Sequence, residues 1–111
     1  MRKREYLGQL ELMALLAVIR TGREAYGVSI SREIAQTSGR EVTISSIYAA
    51  LGRLEQKGLI SSALGEPTAE RGGRARTYFR PTSAGLKEAR DARATLLQLF
   101  KGLPDTHKAP A

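Results

Sequence analysis

Apolar residues crowd the stretch from Gly8 to Arg20, where Leu10, Leu12, Met13, Leu15, Leu16, Val18 and Ile19 fall nearly all round a helical wheel. This pattern predicts a first helix buried on several sides. Thr21 and Gly22 end it, Gly because it has no Cβ and accepts the left-handed conformation common after a helix terminus. A second helix is predicted from about Val28 to Ser38, with Val28, Ile30, Ile34 and Ala35 as its inner stripe and Gly39 as its stop. The alternation Glu41-Val42-Thr43-Ile44 fits a short strand. Ser45 and Ser46 then offer hydroxyls to cap a third helix. Along that helix Ile47, Leu51 and Leu54 share one face, and Gly58 closes it.

Two strands come next, Leu59 to Leu64 and Thr77 to Arg80. The connection from Gly65 to Arg76 is rich in Gly and Arg and is long for a hairpin loop, a feature often tied to function. A last helix is predicted from about Ser83 to Gly102, with Thr82 as N-cap. On it Leu86, Ala89, Arg93, Leu96, Phe100 and Leu103 step by alternating threes and fours, like a coiled-coil seam that Arg93 interrupts. Three helices and a hairpin predict a mainly α (α+β) fold, a winged helix-turn-helix with an added C-terminal helix. The expected organisation is a winged helix-turn-helix domain over 1–81, a dimerisation helix over 82–103 and a disordered tail over 104–111. A monomer of this size has little surface left to cover the last helix. Pairing with a second copy, aided by the very apolar first helix, is the expected solution. Leu12, Leu16, Leu86, Ala89, Leu96, Phe100 and Leu103 are the expected dimer contacts; packing within one chain is the alternative.

Charge changes the picture next. The 111 residues, enough for one domain, carry a formal net charge of +7. A surface of that sign attracts polyanions. Two places concentrate the attraction. The exposed face of the third helix would present Ser45, Ser46, Ala49, Gly52, Arg53 and Gln56, small near its start and basic further on. Small residues permit close approach to a major groove, and hydroxyls, amides and Arg bond phosphates or base edges. Tyr48 sits at the border of that face. An amphipathic surface helix with Tyr48 half-buried would read the same way. The second place is Glu70-Arg71-Gly72-Gly73-Arg74-Ala75-Arg76, a tight tip flanked by Arg71, Arg74 and Arg76 that suits a phosphate backbone or minor groove. A solvated turn is its plain alternative.

Catalysis finds little support. The chain has no Cys, and its one His, His107, falls in the expected tail. Glu11, Glu33, Glu41 and Glu55 are scattered and read as solvated charges or salt-bridge partners. No metal or cofactor is expected, and the chain is not expected to be an enzyme. No secretory signal or membrane span is expected, which fits a cytoplasmic protein.

Several stretches together resemble the PadR family of prokaryotic transcriptional regulators in its short form. They are Leu7-Gly8-Gln9-Leu10-Glu11-Leu12, Ala25-Tyr26-Gly27-Val28, Ser46-Ile47-Tyr48, Leu51 through Ile60, Gly73 through Phe79, and Thr82-Ser83-Ala84-Gly85. The resemblance implies dimerisation through the first and last helices. It also implies repression at a near-palindromic operator, with the third helix in the major groove and Gly72-Gly73 at the wing. A small aromatic or hydrophobic effector near the dimer interface is implied for some members. Ala49 stands where the family often has Pro, and Ala75 replaces the Pro of its usual wing. The expected function is therefore a sequence-specific DNA-binding regulator. An RNA-binding winged helix and a protein-interaction module without operator binding are the rivals, and comparing duplex DNA with structured RNA separates them.

Overall fold

A computed structural model describes residues 6–66 and 75–105. The basic arm at Arg2, Lys3 and Arg4, the tip residues Arg71, Gly72, Gly73 and Arg74, and the tail from 106 onward lie outside the described residues.

The element order is α1 (Gln9–Thr21), a short 3-10 turn (Gly22–Glu24), α2 (Gly27–Ser38), α3 (Ile44–Gln56), β1 (Ile60–Leu64), β2 (Thr77–Pro81) and α4 (Ser83–Phe100). This is a winged helix with an extra C-terminal helix, as the pattern predicts. α1 is the central element because it is apolar on most sides. Ala14, Leu15, Ala17 and Val18 are buried against Ile30 and Ile34 of α2, Ile47, Ala50, Leu51 and Leu54 of α3, and Phe79 of β2. Truncating one such residue, Leu15 for example, costs about 2–5 kcal/mol from lost transfer energy and the cavity left behind.

Where the chain turns, glycines do the stopping. Gly22, Gly39 and Gly58 all have positive φ, so three of the predicted helix ends fall where expected. Gly39 is left-handed and its N–H donates to the Ala35 carbonyl at 2.9 Å.

Four expectations are corrected. Residues 41–43 form no strand, and Ile44 already belongs to α3. Only a few residues separate the two helices, and among the described residues the strands are β1 and β2, which pair with each other and not with this segment. The cap of α3 is Thr43, not Ser45 or Ser46: its Oγ1 accepts from the Ser46 N–H at 3.2 Å. Val28 does not join the inner stripe of α2 but is 47% exposed, because the buried stripe steps through Gly27, Ile30 and Ile34 and leaves Val28 off it. α1 is also less enclosed than its apolar wheel implied. Leu16 is 41% exposed, on the side that faces along α4.

The sheet pairs β1 and β2 antiparallel, with Ile60 opposite Pro81 and Leu64 opposite Thr77. The Gly65 N–H donates to the Arg76 carbonyl at 2.7 Å and closes the base of the wing. On the other edge of β2, the Phe79 N–H donates to the Ala25 carbonyl at 2.8 Å, tying the wing to the entry of α2.

α4 starts as predicted. Thr82 Oγ1 accepts from the Gly85 N–H at 3.0 Å and donates to the Gly58 carbonyl at 2.7 Å. The Thr82 N–H donates to the Leu59 carbonyl at 3.0 Å. The start of α4 is thus bonded to the segment that joins the third helix to the wing. Its later turns leave this support, and Leu96, Leu97, Leu99 and Phe100 are exposed.

Candidate nucleic-acid interface

The third helix presents the face that its sequence promised. Ser45, Ala49, Gly52, Arg53 and Gln56 are exposed and Ser46 is partly so, while Ile47, Ala50, Leu51 and Leu54 anchor the opposite face in the core. At the N-terminus of α3 three hydroxyls gather: Thr43 Oγ1 donates to Ser46 Oγ at 2.8 Å and lies 3.3 Å from Ser45 Oγ. Together they make a surface rich in donors and acceptors at the positive end of the helix.

Tyr48 is half exposed, at the border of the two faces as expected. Its ring lies on the α carbon of Gly27. A β carbon there would stand 2.4 Å from Tyr48 Cζ and 2.3 Å from its hydroxyl oxygen. Only glycine fits beneath it. Val28 and Arg32, four residues apart and so on one side of α2, are both exposed beyond that contact.

At the wing's base, Arg76 is placed differently from a free phosphate-seeking side chain. Its guanidinium carbon lies 4.0 Å from the centre of the Tyr26 ring. Tyr26 in turn packs edge-on against Tyr78, with centroids 5.8 Å apart. Such a stack contributes about 0.5–2 kcal/mol, depending on how well water is excluded. A side-chain hydrogen bond with Tyr78, opposed by burial and aided by the field of Tyr26, pushes the Arg76 pKa up. Arg80 is also committed, donating from Nη1 to the carbonyls of Gly22, Arg23 and Phe79. The base of the wing is therefore a rigid mount.

A second feature escaped the residue-by-residue reading of the sequence. Glu11 of α1 is buried, 7% exposed, though its site is shallow, and it reaches Arg53 of α3 and Lys57, the residue that caps the end of that helix. Lys57 Nζ donates to Oε1 at 2.8 Å and Arg53 Nε to Oε2 at 3.3 Å. The hydrogen bond from Lys57 is the largest influence holding the Glu11 carboxyl below its usual range, and the bond from Arg53 adds to it. The sequence places these partners more than forty residues apart, so no local pattern signals the contact.

The expected dimer residues gather on one surface. Leu12, Leu16, Leu86, Ala89, Leu96 and Phe100 line a groove of about 480 Å³ between α1 and α4, with Arg90 and Arg93 at its margin. Leu103 lies just past the end of α4 and is half exposed. Among the described residues, no group of His, Asp or Glu is arranged to hold a metal ion, and no helix is long and apolar enough to cross a membrane.

Comparison with known proteins agrees with this architecture. No functionally curated protein matches the sequence. A transcriptional regulator from Clostridium thermocellum is 29% identical with a TM-score of 0.68, over 82% of this chain and 85% of that one. A PadR family transcriptional regulator from Eggerthella lenta is 27% identical with a TM-score of 0.66, over 81% of this chain and 76% of that one. A PadR family regulator from Clostridium difficile, 22% identical, shares the fold with a TM-score of 0.72 over 85% of this chain and 93% of the other. The family model of the PadR-like transcriptional regulators matches residues 15–91, which run from the middle of α1 through the first half of α4. The chain belongs to the PadR-like family of transcriptional regulators.

Proposed function

We propose that two copies of this chain pair through α1 and α4 and bind a near-palindromic DNA operator, acting as a cytoplasmic repressor. The observation that supports this most is the combination of two surfaces on one small domain. One is the hydroxyl-rich, small-residue face of α3 beside a basic wing. The other is the run of exposed Leu and Phe on α4, which in water favours a partner. A two-fold dimer would offer two recognition helices to major-groove faces about one helical turn apart, or a multiple of it.

Within each subunit Ser45, Ser46, Tyr48 and Ala49 approach the bases. Arg53 and the wing residues Arg71, Gly72, Gly73 and Arg74 meet the backbone, and Arg76 steadies the wing from below. The apolar groove between α1 and α4 also suits a small hydrophobic or aromatic effector. Such a ligand would release DNA only by binding two arrangements of the dimer unequally.

Sedimentation of the full chain, combined with titration of the duplex upstream of its own gene against random duplex and structured RNA, tests the proposal. A dimer that prefers its own upstream duplex is expected. A monomer at high concentration that ignores duplex DNA in dilute buffer would overturn it, and a preference for structured RNA would move the chain to another class of regulator.

A further inference from the structure

We propose that Glu11 is a positioning residue for DNA recognition, an anionic brace that sets the direction and the number of free cations on the third helix. The inference rests on the DNA-binding reading above and adds a residue that lies off the reading face.

Three observations converge on it. Glu11 is the buried charged side chain among the described residues, and the cations that pair with it are Arg53 of α3 and Lys57 at the C-terminal cap of that helix, with a backbone hydrogen bond from Gly8 beside them. Arg53 is engaged through Nε alone, at 3.3 Å, and its side chain remains 49% exposed. The outer guanidinium nitrogens are therefore left for a phosphate, while the inner edge is fixed. Arg53 follows Ala49 by four residues and Ser46 by seven, so it stands on the same face as the proposed base-reading positions. A guanidinium held at one edge has fewer rotamers to lose on binding, which favours the one geometry that fits.

The carboxylate also removes charge. With Glu11 ionised, Lys57 is paired at 2.8 Å and does not act as a free cation against the polyanion. The brace thus lowers indiscriminate attraction and favours the oriented contact. Its neighbour Leu12 lines the α1–α4 groove, so the residue that aims the third helix is adjacent in sequence to the proposed subunit contact.

The test compares full-length wild type, Glu11→Gln and Glu11→Asp. The probes are a duplex selected by the wild type from a random library and a scrambled duplex of equal composition. Glu11→Gln keeps the shape, frees Lys57 as one further cation and releases the inner edge of Arg53. Its binding should fall more steeply with salt, by about one unit of log–log slope. Its preference for the selected duplex should drop about five- to tenfold, the effect of losing an orienting charge-assisted hydrogen bond. Glu11→Asp keeps the charge but is one carbon short, so the preference should fall with the slope unchanged. A folded Glu11→Gln protein with wild-type slope and preference overturns the proposal. So does a variant that loses stability and binds both duplexes equally less well, which is what a merely structural role predicts. If Glu11→Gln does not fold, the preference of Glu11→Asp decides alone. A wild type that selects no duplex is a separate result and overturns the DNA-binding reading itself.

Discussion

The ring of Tyr48 lies on the backbone of Gly27, so close that a β carbon on Gly27 would stand 2.3 Å from the Tyr48 hydroxyl oxygen. This one contact joins the first turn of α2 to the solvent side of α3, and it sets where the tyrosine of the proposed reading helix points. Gly27→Ala should therefore displace Tyr48 outward rather than break the core. The expected cost is about 1–3 kcal/mol in urea unfolding, with weaker duplex binding. Removing the ring first should relieve the clash: in a Tyr48→Ala background the same change should be nearly neutral. A double-mutant cycle measures this coupling, and additive effects would mean the two residues are independent.

Gly85 presents a harder obstacle. A β carbon there would lie 2.0 Å from the Leu59 carbonyl oxygen, which is backbone and cannot swing away. That carbonyl also accepts the Thr82 N–H. Gly85→Ala should detach the start of α4 from the segment leading into the wing and lower the melting temperature by well over the effect of an ordinary surface change. A loss of several kcal/mol is expected, since no side-chain repacking relieves a backbone clash. Wild-type stability in that variant would show that α4 can pivot freely on Thr82.

Much of this geometry was legible because it is local. The helix ends at Gly22, Gly39 and Gly58 follow from positive φ, and the cap of α4 by Thr82 follows from a hydroxyl three residues before an N–H that needs one. The strand expected at residues 41–44 failed for a related reason. Thr43 was counted as one step of an alternation, yet its hydroxyl serves as the cap of α3. Val28 failed because apolar character alone does not say which side of a helix faces inward. In sequence Glu11 looks like a solvated charge or ion-pair partner; its pairing with Arg53 and Lys57 depends on packing α1 against α3, a non-local event. Composition places Arg76 with the wing arginines, whereas Tyr26, which it covers, belongs to the entry of α2.

That difference between arginines can be measured. Arg74→Ala should weaken binding to all duplexes and make the salt dependence shallower by about one unit of slope, with unfolding unchanged. Arg76→Ala should do the opposite in part, lowering thermal stability by the loss of its stack on Tyr26, on the order of 1 kcal/mol. Equal melting temperatures for both variants would count against a structural role for Arg76.

Acid should weaken the fold through Glu11 and Glu33. The Glu11 carboxyl is held below its ordinary value of 4.5, first by Lys57 and less by Arg53. Glu33 is held below the same value by hydrogen bonds from Thr37 and then Arg20. A carboxyl that titrates lower when folded binds fewer protons in the native state than in the unfolded one. Its stabilisation is therefore fully present above the ordinary value and is lost as pH falls through the folded one. Urea midpoints should be flat from neutral pH down to about 5 and then decline below about 4.5. Glu11→Gln should flatten part of that decline, and an unchanged acid limb in the variant would remove Glu11 from the account.

The apolar side of α4 offers the sharpest separation of folding from assembly. Phe100 is 65% exposed within one chain, and Leu96 and Leu97 lie with it along the open groove. A charge placed there meets water in the monomer and costs the isolated subunit little, within about 0.5 kcal/mol for a surface change. In a dimer paired through this face the same charge is buried without a partner, and a desolvation penalty of several kcal/mol falls on association alone. Phe100→Asp should therefore sediment as a folded monomer with a wild-type helical spectrum. Its affinity for a two-half-site duplex should fall steeply, because each subunit then has to bind without the other, while affinity for a single half-site should change little. A Phe100→Asp protein that still sediments as a dimer would place the subunit contact elsewhere on the chain.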